Sequence, residues 1–265
     1  MLNLCLVVAS LLCIVSIAIA ADAPSSDTAV AALKDSPRHG EWVDVPVGET
    51  KIHTWVVYPE RKDKAPVVII IHEIFGMSDW VRSVADAAAA EGFIAIAPDL
   101  LSGKGPNGGG TESFKGDDVR DAIRKLKPEE LTEKMNALRD YGMALPSASD
   151  KSATIGFCWG GGTSFAYAAA QPKLNAAVVY YGTPPAEEGL AKIQCPVAGF
   201  YGGDDARVTS TVPPTKKAMA DLKKTYEPHI YEGAGHGFLR QQGLRGGAND
   251  KAAKKAWPAT IAFLK

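Results

Sequence analysis

The chain is expected to fold as an α/β protein, with one mostly parallel central sheet, helices on both faces and an antiparallel hairpin at the N-terminal edge. Three observations predict this. Short β-branched and aromatic runs alternate with segments of helical period, the pattern of repeated β-α-β units. The run Pro66-Val67-Val68-Ile69-Ile70-Ile71-His72 is apolar without interruption, as a strand covered on both faces requires. Finally, Ala153-Thr154-Ile155-Gly156-Phe157-Cys158-Trp159-Gly160-Gly161-Gly162 passes from strand to helix through a turn crowded with glycine.

Taken in order, residues 21–40 form a polar, Ala-rich segment with no predicted element, and residues 41–265 form the folded domain. Residues 41–47 and 51–58 alternate around Val47-Gly48-Glu49-Thr50 and read as the edge hairpin. The strand at 66–72 follows. Residues 79–91 are an Ala-rich helix closed by Gly92, and 93–97 form the next strand, ending at Pro98-Asp99. Residues 101–110 are Gly-rich with little apolar content, which predicts a mobile loop at the mouth of a site. Helices are expected over 116–126 and 128–145, the second opened by Pro128-Glu129-Glu130. After the glycine turn and its helix come strands at 175–181 and 196–202, a helix at 215–226, a strand at 227–231 and a closing helix at 249–264.

The turn around Cys158 carries the chemistry. Holding a side chain on so sharp a strand-to-helix turn needs minimal residues two before it and two and three after, and Gly156, Gly160 and Gly161 stand there. Such a turn exposes a nucleophile at the carboxyl end of a strand and aims the Trp159 amide and the helix N-terminus at an anion forming there. A dinucleotide fingerprint would need its glycines near the first strand. A redox pair would need a cysteine at position 161, which is Gly161. Cys158 is therefore read as a nucleophile.

The chain has 265 residues, of which 46% are hydrophobic and 22% charged, with a net charge of -1. This is ordinary globular composition, and without a basic run it excludes nucleic acid as the main partner. Residues 1–20 are apolar and uncharged, and Ala18-Ile19-Ala20 has the small-x-small form of a cleavage site, so an export signal is expected, giving a periplasmic or secreted protein without a stable membrane partner. Cys5 and Cys13 would leave with it. Cys195 starts a strand where Cys158 ends one, about 20 Å apart, so no disulfide is expected between them. A monomer is expected.

A thiol nucleophile needs a base, and the base an acid to orient it. In an α/β-hydrolase sheet the chain order is nucleophile, acid, histidine, each on a loop after a strand. His236 alone among the five histidines sits in a glycine-flanked loop between the last strand and last helix. Spacing does not separate Asp204 from Asp205 as the acid. The pair His72-Glu73 suggests a metal-dependent hydrolase, but H-E-x-x-H would need histidine at position 76, which is Gly76. No metal or organic cofactor is implied.

The segments Gly156-Phe157-Cys158-Trp159-Gly160-Gly161, His72-Glu73-Ile74-Phe75-Gly76, Pro98-Asp99-Leu100, Gly203-Asp204-Asp205-Ala206-Arg207-Val208 and Gly235-His236-Gly237-Phe238-Leu239-Arg240 together resemble the dienelactone hydrolase family, the carboxymethylenebutenolidases. The resemblance spans residues 44–264. It implies the α/β-hydrolase fold and a Cys158-His236-Asp205 triad that hydrolyses a small ester or lactone through an acyl-enzyme. It also implies that Glu73 contacts the resting thiol and moves away when substrate binds. By the same resemblance, the backbone amides of Ile74 and Trp159 form an oxyanion hole and Arg240 grips a substrate carboxylate. The family's second carboxylate-binding arginine is missing: Gly103 occupies its position, so a different ester, cleaved by a broader esterase or thioesterase, is the alternative substrate class. A non-catalytic binding protein on the same fold is the remaining alternative.

Overall fold

The computed structural model describes residues 22–265, so the export signal read at residues 1–20 lies outside the described residues. Among them, eight strands form one sheet in the order β1-β2-β4-β3-β5-β6-β7-β8. The hairpin of β1 (Gly40–Val47) and β2 (Thr50–Val57) is antiparallel, and β2 pairs antiparallel with β4 (Ile94–Pro98). From β4 onward every pairing is parallel, through β3 (Ala65–Ile71), β5 (Ala148–Phe157), β6 (Ala176–Tyr180), β7 (Val197–Gly202) and β8 (Tyr226–Tyr231). The class predicted from the sequence is the class observed.

Strand β3 shows why its sequence is apolar throughout. Val68 and Ile70 point into a core shared with α2 (Asp79–Ala90) and α9 (Ala248–Leu264), while Val67, Ile69 and Ile71 point into the opposite core, against α4 (Pro128–Ala144) and α5 (Trp159–Ala170). All five are fully buried. A helix layer on each face leaves no solvated side for alternation to mark. At about 25 cal/mol per Å² of apolar surface, such strands supply much of the driving force for folding.

Four features depart from the sequence expectations. The segment before the hairpin contains α1 (Ala29–Asp35) and is tied down: the Trp80 indole N–H donates to the Pro24 carbonyl, and Arg38 and Ser36 both bond the buried Asp86 carboxylate. The short helices α6 (Glu187–Lys192) and α7 (Ala206–Thr209) carry no sequence signal. Helix α8 (Val212–Asp221) starts ahead of the expected residue 215, because Pro213 and Pro214 fit a first turn that needs no amide donors. It stops early where Lys223, at φ 57°, turns the chain into β8. Fourth, the Gly-rich loop expected at the mouth of the site lies elsewhere. The Asp99 carboxylate accepts from the amides of Leu101 and Thr111 and from the Thr111 hydroxyl, at 2.7–3.0 Å. This holds the loop beside Asp44 and His53 of the hairpin, and none of residues 101–110 lines the cavity at Cys158. The remaining short helix, α3 (Asp118–Arg124), follows that loop.

Candidate active site

The turn at Cys158 is built by contact. A Cβ on Gly156 would run into the Gly160 carbonyl, and one on Gly160 into the carbonyls of His72 and Ile71. Only glycine lets α5 start this close to β3 and β5. The turn holds Cys158 itself at φ 56° and ψ -117°, a conformation disfavoured for a residue with a side chain. Its amide donates to the Tyr180 carbonyl at 3.0 Å, which locks the turn to β6. Trp159 begins α5, so its amide has no intrahelical acceptor.

Asp205 follows β7 directly and His236 follows β8, so neighbouring strands deliver them to the same sheet edge as Cys158. The His236 Nδ1 to Asp205 Oδ2 distance is 2.5 Å, and the His236 ring lies close enough to Cys158 for the two groups to influence each other's charge. Asp204 instead pairs with Arg245 at 3.0 Å, at the exposed rim. Of the two adjacent carboxylates left open by spacing, Asp205 is the one that reaches the imidazole. Burial opposes charge on the His236 ring, but hydrogen bonds and charge from Cys158 and Asp205 outweigh it and raise its pKa from 6.5 to about 9.

That shift has a direction that can be measured. A folded-state pKa above the unfolded value stabilises the fold below about pH 6.5, and the contribution is lost as pH rises through about 9. In an NMR titration the His236 imidazole is expected to lose its proton near pH 9, and at lower pH in Cys158→Ala, which removes one of the raising partners. A midpoint near 6.5 in both proteins would contradict the pairing.

His72 and Glu73 follow β3, next to the turn through the pairing of Ile71 with Gly156. His72 is fully buried with both ring nitrogens in use: Nδ1 donates to the Glu73 carbonyl at 2.8 Å and Nε2 accepts from the Leu100 amide at 3.3 Å. Burial lowers its pKa and keeps it neutral, and its ring stacks on Trp159 with centroids 5.5 Å apart. It braces the backbone of both segments that carry the Ile74 and Trp159 amides.

Glu73 is only 3% exposed, and its carboxylate takes the Arg240 Nε–H at 2.5 Å. The resemblance implies Glu73 on the thiol and Arg240 free for a substrate. In the structure these two side chains hold each other, and the thiol faces His236. Burial raises the Glu73 pKa and Arg240 opposes that rise. The Arg240 guanidinium also lies over the Phe75 ring, 4.9 Å from its centroid. Its loop is strapped by the N-terminal segment, since the Ser26 amide and hydroxyl both donate to the Arg240 carbonyl at 2.9 Å.

Tyr181 escaped sequence reasoning. It sits beside the His236 ring, with centroids 5.0 Å apart, at φ 41°. Its buried hydroxyl lies near the Glu73 carboxylate but makes no hydrogen bond of good geometry among the described residues. The strand pattern ends at that residue, and nothing in the sequence signals its backbone conformation. Cys158, Ile74, Trp159 and Tyr181 open onto a cavity of about 810 Å³.

A strained strand-to-helix turn, an acid–imidazole pair beside it and a parallel sheet in this strand order have the form of the α/β-hydrolase fold. The family model of the dienelactone hydrolase family matches residues 52–265, and the chain belongs to that family, within the carboxylic ester hydrolases. A Saccharolobus solfataricus protein, assigned by name only as a carboxymethylenebutenolidase, is 30% identical over 247 residues, 81% of this chain and 94% of that one. A Klebsiella pneumoniae structure, assigned by name only as a dienelactone hydrolase, matches with a TM-score of 0.76 and 25% identity over 86% of this chain and 98% of that one. A dienelactone hydrolase-like promiscuous phosphotriesterase from metagenomic libraries shares the fold, with a TM-score of 0.72 and 23% identity over 86% and 97% of the two chains.

Proposed function

We propose that the protein cleaves a carboxylic ester or lactone through a Cys158 acyl-enzyme. The observation that carries this is the Asp205–His236 pair set beside Cys158 at the strained turn. Cys158 Sγ attacks the carbonyl carbon, its proton residing on the imidazole. The tetrahedral oxyanion lies between the Ile74 and Trp159 amides, donors that need no reorganisation as charge develops. His236 then gives the proton to the departing alkoxide, the C–O bond breaks and an S-acyl enzyme remains. Water, deprotonated by His236, attacks that thioester and releases the carboxylate product. Asp205 keeps the imidazole in one tautomer and balances its charge.

The substrate class is an ester or lactone wider than dienelactone alone. Gly103 stands where the family pattern has a second arginine, and Arg240 is engaged by Glu73, so a small carboxylated lactone meets a weakened grip. In this reading residues 1–20 direct export and one domain follows, acting on a small molecule outside the cytoplasm. Hydrolysis of dienelactone and of p-nitrophenyl acetate, side by side, tests the function. The neutral ester is expected to turn over with kcat/KM at least equal to that of dienelactone. A strong preference for dienelactone would restore the narrow family substrate, and turnover of neither would refute the reading.

A further inference from the structure

The cavity at Cys158 is a groove with a direction. Its floor is one stripe of α5: Trp159, Gly162, Thr163, Ala166, Ala169 and Ala170 line it at helical spacing. With about 1.5 Å of rise per residue, the stripe runs roughly 16 Å from the nucleophile. Its walls come from α4, through Leu131 and Met135, and from α6 and the segment before it. Its volume of about 810 Å³ sits toward the top of the range of about 300–1,000 Å³ for drug-sized ligands. A small lactone would leave most of it empty.

The far end is marked by charge. Helix α5 runs down from Cys158, and α6 runs beside it so closely that a Cβ on Gly189 would lie 4.0 Å from the Ala169 Cβ. Lys192, one helical turn after Gly189, closes α6 just before β7 begins, at the sheet edge opposite the nucleophile. Arg124, Lys192 and Arg207 are the charged residues lining the groove, and no carboxylate lines it among the described residues. Arg124 is paired with Asp121, whereas Lys192 and Arg207 have no carboxylate in ion-pair distance among the described residues. In a chain of net charge -1 this one-signed lining is local.

His236 fixes which part of a substrate enters. The departing oxygen must face the ring that protonates it, and His236 does not line the groove. The acyl part therefore extends the other way, along α5.

Resting on the ester-hydrolase reading above, we propose that the preferred substrates are esters of long, mainly apolar acids that carry a second anionic group at the far end of the acyl chain, seated along α5 with that anion at Lys192. The esters would be half-esters of long dicarboxylic acids or chains of the same shape. Their anion is read at Lys192, and Arg240 stays with Glu73.

Three p-nitrophenyl esters test this: acetate, decanoate and the mono-ester of sebacate, which matches decanoate in length but ends in a carboxylate. Decanoate is expected to exceed acetate in kcat/KM by more than about tenfold, because each methylene buried in the groove contributes. The sebacate mono-ester is expected to exceed decanoate by about fivefold at low salt, with the ratio falling as salt is added. Lys192→Ala should bring that ratio to about one and Lys192→Glu below one. Ala166→Trp, at an exposed floor position, should abolish the preference of decanoate over acetate. If acetate is hydrolysed through Cys158 while the longer esters gain nothing, or if the ratio survives Lys192→Glu, the groove proposal is overturned and the hydrolase reading stands. If no ester is hydrolysed, both fall.

Discussion

Replacing Cys158 by alanine is expected to lower ester hydrolysis by about ten-thousand-fold or more while leaving thermal stability almost unchanged at about pH 10, above the pKa that Cys158 helps to raise on His236. The asymmetry follows from the backbone. Cys158 sits at φ 56°, and alanine with its Cβ inherits the same strain, so the fold neither gains nor loses at that position. The side chain is half-buried and small, and its removal opens into a cavity that already exists. Glycine is different. Cys158→Gly should be equally inactive yet more stable, by about 1 kcal/mol, because glycine adopts a positive φ without penalty. A dead protein that melts higher than the wild type would show that the strain is held for the chemistry and serves no purpose in folding. The checks are kcat/KM on p-nitrophenyl acetate and unfolding midpoints for the three proteins. An alanine variant with near-normal turnover would place the nucleophile elsewhere.

The turn was readable because its requirement is written in glycines: a glycine before and two after a cysteine have one inexpensive explanation when a β-branched run precedes and a helix follows. The parallel strands were readable for a related reason, since Val67 through Ile71 are apolar on both faces. What escaped lacked local information. Helices α6 and α7 span six and four residues, too few for a period to emerge. The segment around Ser26 has no pattern of its own, because its structure comes from the loop at Arg240 and from Trp80. Asp204 and Asp205 are adjacent in sequence, and only the exit direction of β7 sends one inward to His236 and the other outward to Arg245. The resemblance implies a different partner for each of Glu73 and Arg240. They lie 167 residues apart, and only the folded sheet edge brings them together.

That pair sets up the second large effect. Arg240→Ala is expected to destabilise the protein by about 2–3 kcal/mol at pH 8, whereas Glu73→Gln alone should cost under about 1 kcal/mol. Arg240 is the more exposed partner, with 23% of its side chain accessible against 4% for Glu73, so it can turn to water when its carboxylate is removed. Glu73 cannot, and without the guanidinium its negative charge stays in a site that burial already makes unfavourable for it. The carboxyl can escape by taking a proton, which bounds the loss: keeping a glutamic acid, which ordinarily ionises near pH 4.5, protonated above that pH costs about 1.4 kcal/mol for each pH unit. The sign is then set by linkage. A carboxyl whose folded-state pKa is raised binds more protons folded than unfolded, so Arg240→Ala should regain stability as pH falls from 8 toward 5, over a range where the wild type changes less. Glu73→Gln in the Arg240→Ala background should recover most of the loss at pH 8, because the buried charge left without its hydrogen-bonded guanidinium is gone. Urea unfolding of the four proteins at pH 5 and pH 8 reads all of this. An Arg240→Ala protein as stable as the wild type at pH 8 would mean that Glu73 finds another donor, with the neighbouring Tyr181 hydroxyl the first place to look.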